Sequence, residues 1–187
     1  MRSPLRLVAA ALAIVAVFTI AGTPRPARAD DPDQFPVGSV APNFESEDTE
    51  GQPFVLADAL KQGPVMLVFW SLFCGTYIEE LPIIQQELPK LQQKVQVITV
   101  NLDEGPRARN VKMVATQKGF TFRMLLNKLD KKAADGTLVR KEYQIDLAYK
   151  VKATPALYIV NRDGTIAFGH YGALNPEELA QVVDRAR

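Results

Sequence analysis

Residues 69–82 read FWSLFCGTYIEELP, and this stretch joins two patterns of different kind. The apolar run VMLVFW at 65–70 ends inside it and predicts a strand that is covered on both faces. From Tyr77 onward, apolar residues recur at helical spacing, and Pro82 is expected to kink that helix. Cys74 is therefore predicted to lie where a strand-to-helix loop meets a helix N-terminus. Unpaired N–H groups and the dipole at such an end lower the pKa of a thiol, so the placement is typical of a redox cysteine.

Cys74 is the only cysteine in the 187-residue chain. A disulfide reductase carries a second thiol three residues further on, where it lies on the same helix face and releases the mixed disulfide by intramolecular attack. Tyr77 occupies that position here, and a phenol cannot perform this step. The residues alone leave three states for Cys74: buried and inert, free and reactive, or paired with another molecule. One cysteine and one histidine cannot form a metal cluster, and we expect neither a metal nor another cofactor.

The first 29 residues show the three-part pattern of a secretory signal peptide. A basic start and an apolar run are followed by an A-x-A cleavage pattern at Ala27 and Ala29. The apolar run is shorter than the roughly 20 residues that span a bilayer, and an uncleaved N-terminal anchor is the alternative. We expect a signal peptide over 1–29, a flexible lead-in over 30–40, one domain over 41–187, and a periplasmic or secreted protein.

The charge balance argues against nucleic acid as a partner. The chain has 22 basic and 21 acidic residues, but four of the arginines lie in the leader, which has no acid. The remainder is therefore slightly acidic and shows no basic cluster. Contact with a membrane is expected only through the N-terminal segment, if that segment is not cleaved.

Further patterns along the chain predict an α/β fold with a central sheet and helices on both faces. A pair of short strands is expected around the turn at Glu50 and Gly51, and a hairpin around Asp163 and Gly164. Asn175 suits the N-cap of a last helix, with Pro176 at its first position. The remaining expected elements are strands at 95–102 and 120–126, a helix at 106–118, and a loop followed by a helix from about Lys141 within 127–150.

The opening stretch resembles the active-site segment of TlpA/ResA-type exported thioredoxin-like proteins of the redoxin superfamily, which usually read F-W-x-x-W-C-x-x-C-x-x-E-x-P. The matching residues are Phe69, Trp70, Cys74, Glu80 and Pro82, with Phe73 in place of the second tryptophan. YKVKATPALYIVNRDGTI (149–166) resembles the second signature of the family, and GSVAPNFESEDTEGQPFVL (38–56) is similar to its opening hairpin. The resemblance covers about residues 37–185. It implies a thioredoxin-like α/β fold, a central mixed sheet flanked by helices, with an N-terminal β-hairpin extension.

The resemblance also implies roles for individual residues. Cys74 matches the attacking cysteine, and Tyr77 is a degenerate resolving position. Pro155 matches the cis proline that packs beside the cysteine. Together with Thr154, Trp70 and Phe73 it would form the substrate groove, although core packing is the alternative interpretation for both aromatic residues. The partners of such a protein would be proteins or small molecules that carry thiols or disulfides.

Several residues depart from the family pattern. Ile78 and Glu79 stand where the family often has basic residues, and we expect Glu79 and Glu80 to raise the pKa of the nearby thiol. Val68 occupies the strand position where many thioredoxins keep a buried acid or amide. The region between Leu126 and Tyr149 is longer than in the family.

Three functions remain open at this point. The first is a monothiol thioredoxin-like oxidoreductase, in which Cys74 forms a mixed disulfide that an external thiol resolves. The second is a redox-silent module that binds an extended peptide in the groove beside Pro155 and Trp70. The third is a one-cysteine peroxidase, although the Pro-x-x-x-Thr-x-x-Cys pattern of peroxiredoxins has neither its Pro nor its Thr before Cys74.

Overall fold

The computed structural model describes residues 35–103, 108–127, 130–132, 138–140 and 145–187. The predicted signal peptide and the lead-in up to residue 34 lie outside these ranges. The described strands are β1 (Glu45–Glu47), β2 (Pro53–Val55), β3 (Val65–Trp70), β4 (Gln96–Asn101), β5 (Arg123–Leu126), β6 (Asp130–Lys132), β7 (Leu138–Arg140), β8 (Ala156–Val160) and β9 (Ile166–Tyr171). The described helices are α1 (Leu56–Gln62), α2 (Tyr77–Leu91), α3 (Ala108–Lys118), α4 (Ile145–Ala148) and α5 (Pro176–Val183).

Five strands form one mixed sheet in the order β5-β4-β3-β8-β9. β3 pairs with β4 in parallel and with β8 antiparallel, so it lies at the centre of the sheet. Every residue of β3 and of β8 is buried, which explains why both segments are continuous apolar runs. The chain therefore has the predicted thioredoxin-like architecture.

An apolar layer lies on each face of the sheet. One layer, which includes Met66, Val68 and Trp70 of β3, packs against the buried sides of α2 and α5. The alternate residues Leu67 and Phe69 face a second layer, formed with the β1–β2 hairpin, α1 and Tyr149. Successive side chains of a strand point to opposite faces of the sheet, so β3 contributes residues to both layers.

The predicted N-terminal hairpin is present, with β1 antiparallel to β2. Its turn contains Gly51 at φ +77°, a left-handed conformation that favours glycine. The Asp48 side chain accepts hydrogen bonds from the backbone N–H groups of Glu50 and Gln52, both at 2.9 Å. This hairpin lies against the edge of the sheet, since Asp48 also forms an isolated bridge with Leu125 of β5.

The structure differs from the sequence prediction mainly in short elements. Within 127–150, where a loop was expected, β6 and β7 form an antiparallel pair. The following helix, α4, spans only Ile145–Ala148, and residues 141–144, where it was expected to begin, lie outside the described ranges. α1 was not predicted at all. In the part of the chain that the structure describes, none of the helices combines the length and the apolar character needed to span a membrane.

Candidate functional site

Cys74 lies in the loop between β3 and α2, at the carboxyl end of the central strand. Its backbone N–H donates to Ser71 O at 3.2 Å, which closes a turn over residues 71–74. Its own carbonyl accepts from Tyr77 N, the first residue of α2, at 3.2 Å. The loop thus presents the thiol one turn before the helix, and the side chain is half-buried.

Two threonines surround the sulfur of Cys74. The Thr76 hydroxyl lies 2.9 Å from Cys74 Sγ, and the thiol donates to the Thr154 carbonyl oxygen at 3.0 Å. Thr154 reaches the site because β8, which begins at Ala156, pairs directly with the end of β3. The peptide bond between Thr154 and Pro155 is cis.

The pKa of the Cys74 thiol is lowered, chiefly by hydrogen bonding to the Thr154 side chain and then to the Thr76 hydroxyl. A further contribution comes from the backbone of Thr76, while partial burial acts in the opposite direction. The Thr154 carbonyl stabilises only the protonated thiol, since a carbonyl cannot donate. The hydroxyls dominate, and the thiolate is favoured relative to an ordinary cysteine.

This direction is opposite to the one expected from Glu79 and Glu80. Glu80 is completely buried, and burial, followed by the charge of Cys74, raises the pKa of its carboxyl to about 8. At neutral pH this carboxyl is therefore mostly protonated and does not repel the thiolate. Glu79 is exposed to solvent, which screens its charge. The expectation that these acids raise the thiol pKa is therefore wrong.

Glu80 also supplies a buried carboxyl that the sequence analysis did not identify as such. Val68 occupies the strand position where many thioredoxins have a buried acid or amide. It is fully buried in the apolar layer that α2 covers. Among the described residues, neither carboxyl oxygen of Glu80 has a hydrogen-bond partner. Glu80 lies on the first turn of α2, on the side that faces the sheet. The spacing of residues in the sequence alone does not show whether a side chain in this turn faces the sheet or the solvent.

The two aromatic residues of the predicted groove occupy different environments. Trp70 is 1% exposed and belongs to the core, so its ring does not line the surface in this conformation. Phe73 is 72% exposed, which contradicts core packing and keeps it available as part of a groove. The reason is that Trp70 is the last residue of β3, whereas Phe73 is in the loop. Thr154 is half-buried and Pro155 is buried beside it.

Tyr77 fills the position of the missing second thiol. Its ring packs on Trp70, with the ring centroids 5.5 Å apart, and it is partly buried against the core. The phenol therefore serves as a packing group at the start of α2. Within the described ranges no group of acidic, histidine or cysteine side chains could hold a metal ion.

A hydrogen-bond network beneath the Cys74 loop was not predicted. The carboxylate of Asp103, two residues beyond β4, accepts from Ser71 Oγ at 2.7 Å and from Leu72 N at 2.8 Å. The signal that could have found it is its place after a strand parallel to β3, because carboxyl ends of parallel strands meet at one sheet edge.

Comparisons with known proteins agree with this geometry. Residues 37–168 match the AhpC/TSA family. The chain is 30% identical over 146 residues to the thiol-disulfide oxidoreductase ResA of Geobacillus thermodenitrificans, covering 78% of this chain and 75% of that protein. It is 28% identical over 148 residues to the thioredoxin-like protein YneN of Bacillus subtilis, covering 79% and 78%.

Solved structures show the same fold. The thioredoxin domain of a thiol-disulfide oxidoreductase from Bacteroides vulgatus has a TM-score of 0.63 at 20% identity, covering 81% of this chain and 97% of that one. StoA from Bacillus subtilis has a TM-score of 0.59 at 21% identity, covering 76% and 97%.

Proposed function

The chain belongs to the AhpC/TSA family and is a thioredoxin-like protein of the TlpA/ResA type, and from this premise we propose that it is a monothiol thiol-disulfide oxidoreductase. Its single cysteine acts through mixed disulfides, and an external thiol resolves them. The observation that carries the proposal is the half-buried Cys74 just before α2, whose Sγ lies 2.9 Å from the Thr76 hydroxyl in a protein with no second cysteine.

The proposed reaction has two exchange steps. In the first, the Cys74 thiolate attacks one sulfur of a partner disulfide, the S–S bond of the partner breaks, and the departing thiolate takes a proton from solvent. In the second, an external thiolate attacks the partner sulfur of the mixed disulfide and displaces Cys74 as a thiolate. The partner then stays joined to the external thiol, and a second external thiol completes its reduction. The hydroxyls that favour the thiolate also make Cys74 a good leaving group.

The groove that would hold the partner is proposed to include Thr154, Pro155 and the exposed ring of Phe73. Thr154 supports this role because it already touches Cys74 Sγ, so a partner sulfur bonded to Cys74 must approach it. Phe73 supports it through its 72% exposure one residue before the cysteine. Tyr77 is proposed to act only as a packing group at the former resolving position. Proteins and small thiols or disulfides are the proposed partners.

The test is turnover of a glutathionylated peptide in the presence of glutathione and glutathione reductase, with NADPH consumption as the readout. We expect the wild-type protein to accelerate deglutathionylation and to accumulate a Cys74–glutathione adduct, which mass spectrometry of acid-quenched samples detects. Cys74→Ser should abolish both. Thr116→Val, which removes a hydroxyl on α3 that donates to Lys112 O, is the matched control and should leave both unchanged.

Two other outcomes would contradict the proposal. If the wild-type protein forms no adduct and its peptide binding is unaffected by Cys74→Ser, the redox-silent binding module is the better description. If Cys74 instead consumes hydrogen peroxide faster than it attacks the disulfide, the one-cysteine peroxidase is favoured.

We also propose that the protein is exported, because residues 1–29 have the pattern of a signal peptide and disulfide exchange suits an oxidising compartment. An intact-mass spectrum of protein from the native host, taken separately for the soluble extracytoplasmic and the membrane fraction, tests this. Cleavage after Ala29 in the soluble fraction is expected. A full-length mass confined to the membrane fraction would instead indicate the anchored alternative, and a full-length mass in the cytoplasm would overturn export.

A further inference from the structure

We propose that Asp103 is a positioning residue for Cys74, which fixes the turn that carries the thiol through hydrogen bonds to Ser71 and Leu72. This inference deepens the proposed function and rests on it, since it concerns the same cysteine. Asp103 itself does not touch the sulfur in any contact that the structure shows.

Both oxygens of the Asp103 carboxylate accept hydrogen bonds. Oδ1 accepts from Ser71 Oγ at 2.7 Å, while Oδ2 accepts from Leu72 N at 2.8 Å and from Asn101 Nδ2 at 2.9 Å. Its backbone N–H in turn donates to Asn101 Oδ1 at 3.2 Å. Asn101 is 1% exposed and is the last residue of β4. Its hydrogen bond therefore connects the Asp103 carboxylate to the central sheet.

The network passes from the sheet into the cysteine loop. Ser71 Oγ, while donating to Asp103, accepts from Phe73 N at 3.1 Å. The Ser71 carbonyl accepts from Cys74 N at 3.2 Å. Each backbone N–H from residue 72 to residue 74 is therefore bound either to Asp103 or to Ser71, which Asp103 orients.

The position of the turn matters because the sulfur has short contacts on two sides. Cys74 Sγ lies 2.9 Å from Thr76 Oγ1 and 3.0 Å from Thr154 O, and hydrogen bonds lose strength steeply with distance and angle. Thr154 lies just before β8 and outside the cysteine loop, so the placement of the loop decides whether Cys74 reaches it. A turn released from Asp103 would sample other positions and lose these contacts for part of the time.

The experiment measures the rate of Cys74 alkylation by iodoacetamide against pH in Asp103→Ala and Ser71→Ala. Both variants should move the midpoint of the profile to higher pH, by about 0.5 to 1 unit, because the thiolate loses for part of the time the Thr76 hydroxyl, which can donate to it. Ser71→Ala removes no charge, whereas Asp103→Ala also removes a negative charge near the thiol. A purely electrostatic Asp103 would therefore lower the midpoint in Asp103→Ala and leave Ser71→Ala at the wild-type value, and that pair of results would overturn the inference.

A matched control separates positioning from loss of stability. Asn175→Ala removes the cap of α5, which lies in another element, and it should destabilise the fold without moving the Cys74 midpoint. If Asp103→Ala and Asn175→Ala shift the midpoint equally at equal loss of stability, Asp103 is merely structural.

Amide hydrogen exchange followed by NMR provides a second readout that does not depend on thiol reactivity. In Asp103→Ala the amides of Leu72 and Phe73 should both exchange about tenfold faster, as expected of a locally opened turn. In Ser71→Ala only the Phe73 amide should exchange faster than in wild type. In Asn175→Ala neither of the two amides should exchange faster. Unchanged exchange at Leu72 in Asp103→Ala would contradict the inference. This pattern stays decisive even if wild-type Cys74 does not react, a result that would defeat only the proposed function.

Discussion

At the scale of single residues, the chemistry of Cys74 depends on two hydroxyl groups that come from different parts of the chain. Thr76 follows the cysteine in the same loop, whereas Thr154 lies just before β8, the strand next to β3 in the sheet. Both lower the pKa of the thiol, and Thr154 has the larger effect. The loop supplies the thiol, and the segment before β8 supplies the larger of the two hydroxyl contributions that lower its pKa.

This leads to a prediction for two conservative substitutions. Thr154→Val and Thr76→Val keep the side-chain shape but cannot donate to the sulfur, so the pKa of Cys74 should rise in both variants, and more in Thr154→Val. The pH dependence of iodoacetamide alkylation measures this directly. Thr76→Val should not weaken α2, because the Thr76 side chain makes no capping hydrogen bond. Identical profiles in wild type and Thr154→Val would show that the hydroxyl does not stabilise the thiolate.

Glu80 leads to a prediction about stability. Its carboxyl has a pKa of about 8 in the folded chain and an ordinary value of 4.5, so unfolding releases a proton between these two pH values. The stabilising effect of keeping it protonated is complete below about pH 4.5, decreases as pH rises and is lost above about pH 8. The free energy of unfolding should fall by up to about 1.4 kcal/mol per pH unit within this window.

Urea unfolding at pH 5, 6.5 and 8 measures this slope. Glu80→Gln should remove most of it, since a neutral amide does not titrate. Glu79→Gln, at the exposed neighbouring position, is the matched control and should retain the wild-type slope. A Glu80→Gln protein with the wild-type pH dependence would mean that the buried carboxyl does not cause it.

At the scale of elements, the sequence predicted helices and strands best where a pattern within a few neighbouring residues agrees with the burial of the segment in the folded chain. The apolar run at 65–70 became β3 because both faces of that strand are covered. The cap predicted at Asn175 is complete: Asn175 Oδ1 accepts from Glu178 N, and Glu178 Oε2 accepts from Asn175 N, both at 2.9 Å. These signals are contained within a few neighbouring residues, so no tertiary information is needed to interpret them.

Features that depend on contacts between distant segments could not be predicted in the same way. Spacing placed Glu80 near Cys74 but did not show that its side chain points into the core, where burial keeps the carboxyl mostly protonated at neutral pH, so that it does not repel the thiolate. Asp103 meets Ser71 and Leu72 only through the pairing of β3 with β4. The hairpin of β6 and β7 has strands of three residues each, too short for an alternating pattern to stand out.

The cap of α5 gives a prediction at this scale. Asn175→Ala should lower the free energy of unfolding by about 1 kcal/mol, because the Glu178 N–H at the helix start loses its side-chain acceptor. α5 buries Leu179, Val182 and Val183 in the same apolar layer as α2. Fraying of its first turn therefore weakens core packing and lowers the stability of the fold. Asn175→Ser, which can still accept from the Glu178 amide, is the control and should stay within a few tenths of a kcal/mol of wild type. Equal stability of the two variants would mean that the cap contributes little here.

At the scale of the whole molecule, the described elements around Cys74 are those of a thioredoxin-like fold. The central β3, the helix that begins after Cys74 and the cis peptide before β8 are all in place. What the chain lacks is a sulfur at position 77, where the ring of Tyr77 packs on Trp70 instead. Position 77 is therefore a departure that a single substitution can reverse, and restoring a thiol there tests whether the rest of the site is competent.

Tyr77→Cys should consequently convert the protein into a dithiol reductase that reduces insulin with dithiothreitol as electron donor, at a rate well above that of wild type. The new thiol would lie one turn after Cys74, since Tyr77 N already bonds to Cys74 O at 3.2 Å. The substitution removes a partly buried ring and should cost about 2 to 3 kcal/mol of stability. Tyr77→Ser is the matched control because it makes the same truncation without a thiol, and Cys74→Ser combined with Tyr77→Cys shows whether the new thiol acts alone. If Tyr77→Cys forms an intramolecular disulfide, detected as a loss of two mass units, yet reduces insulin no faster than Tyr77→Ser, the monothiol state is not the only change. The buried Glu80 or the departure at Val68 would then also limit turnover, and the reductase activity could not be recovered at position 77 alone.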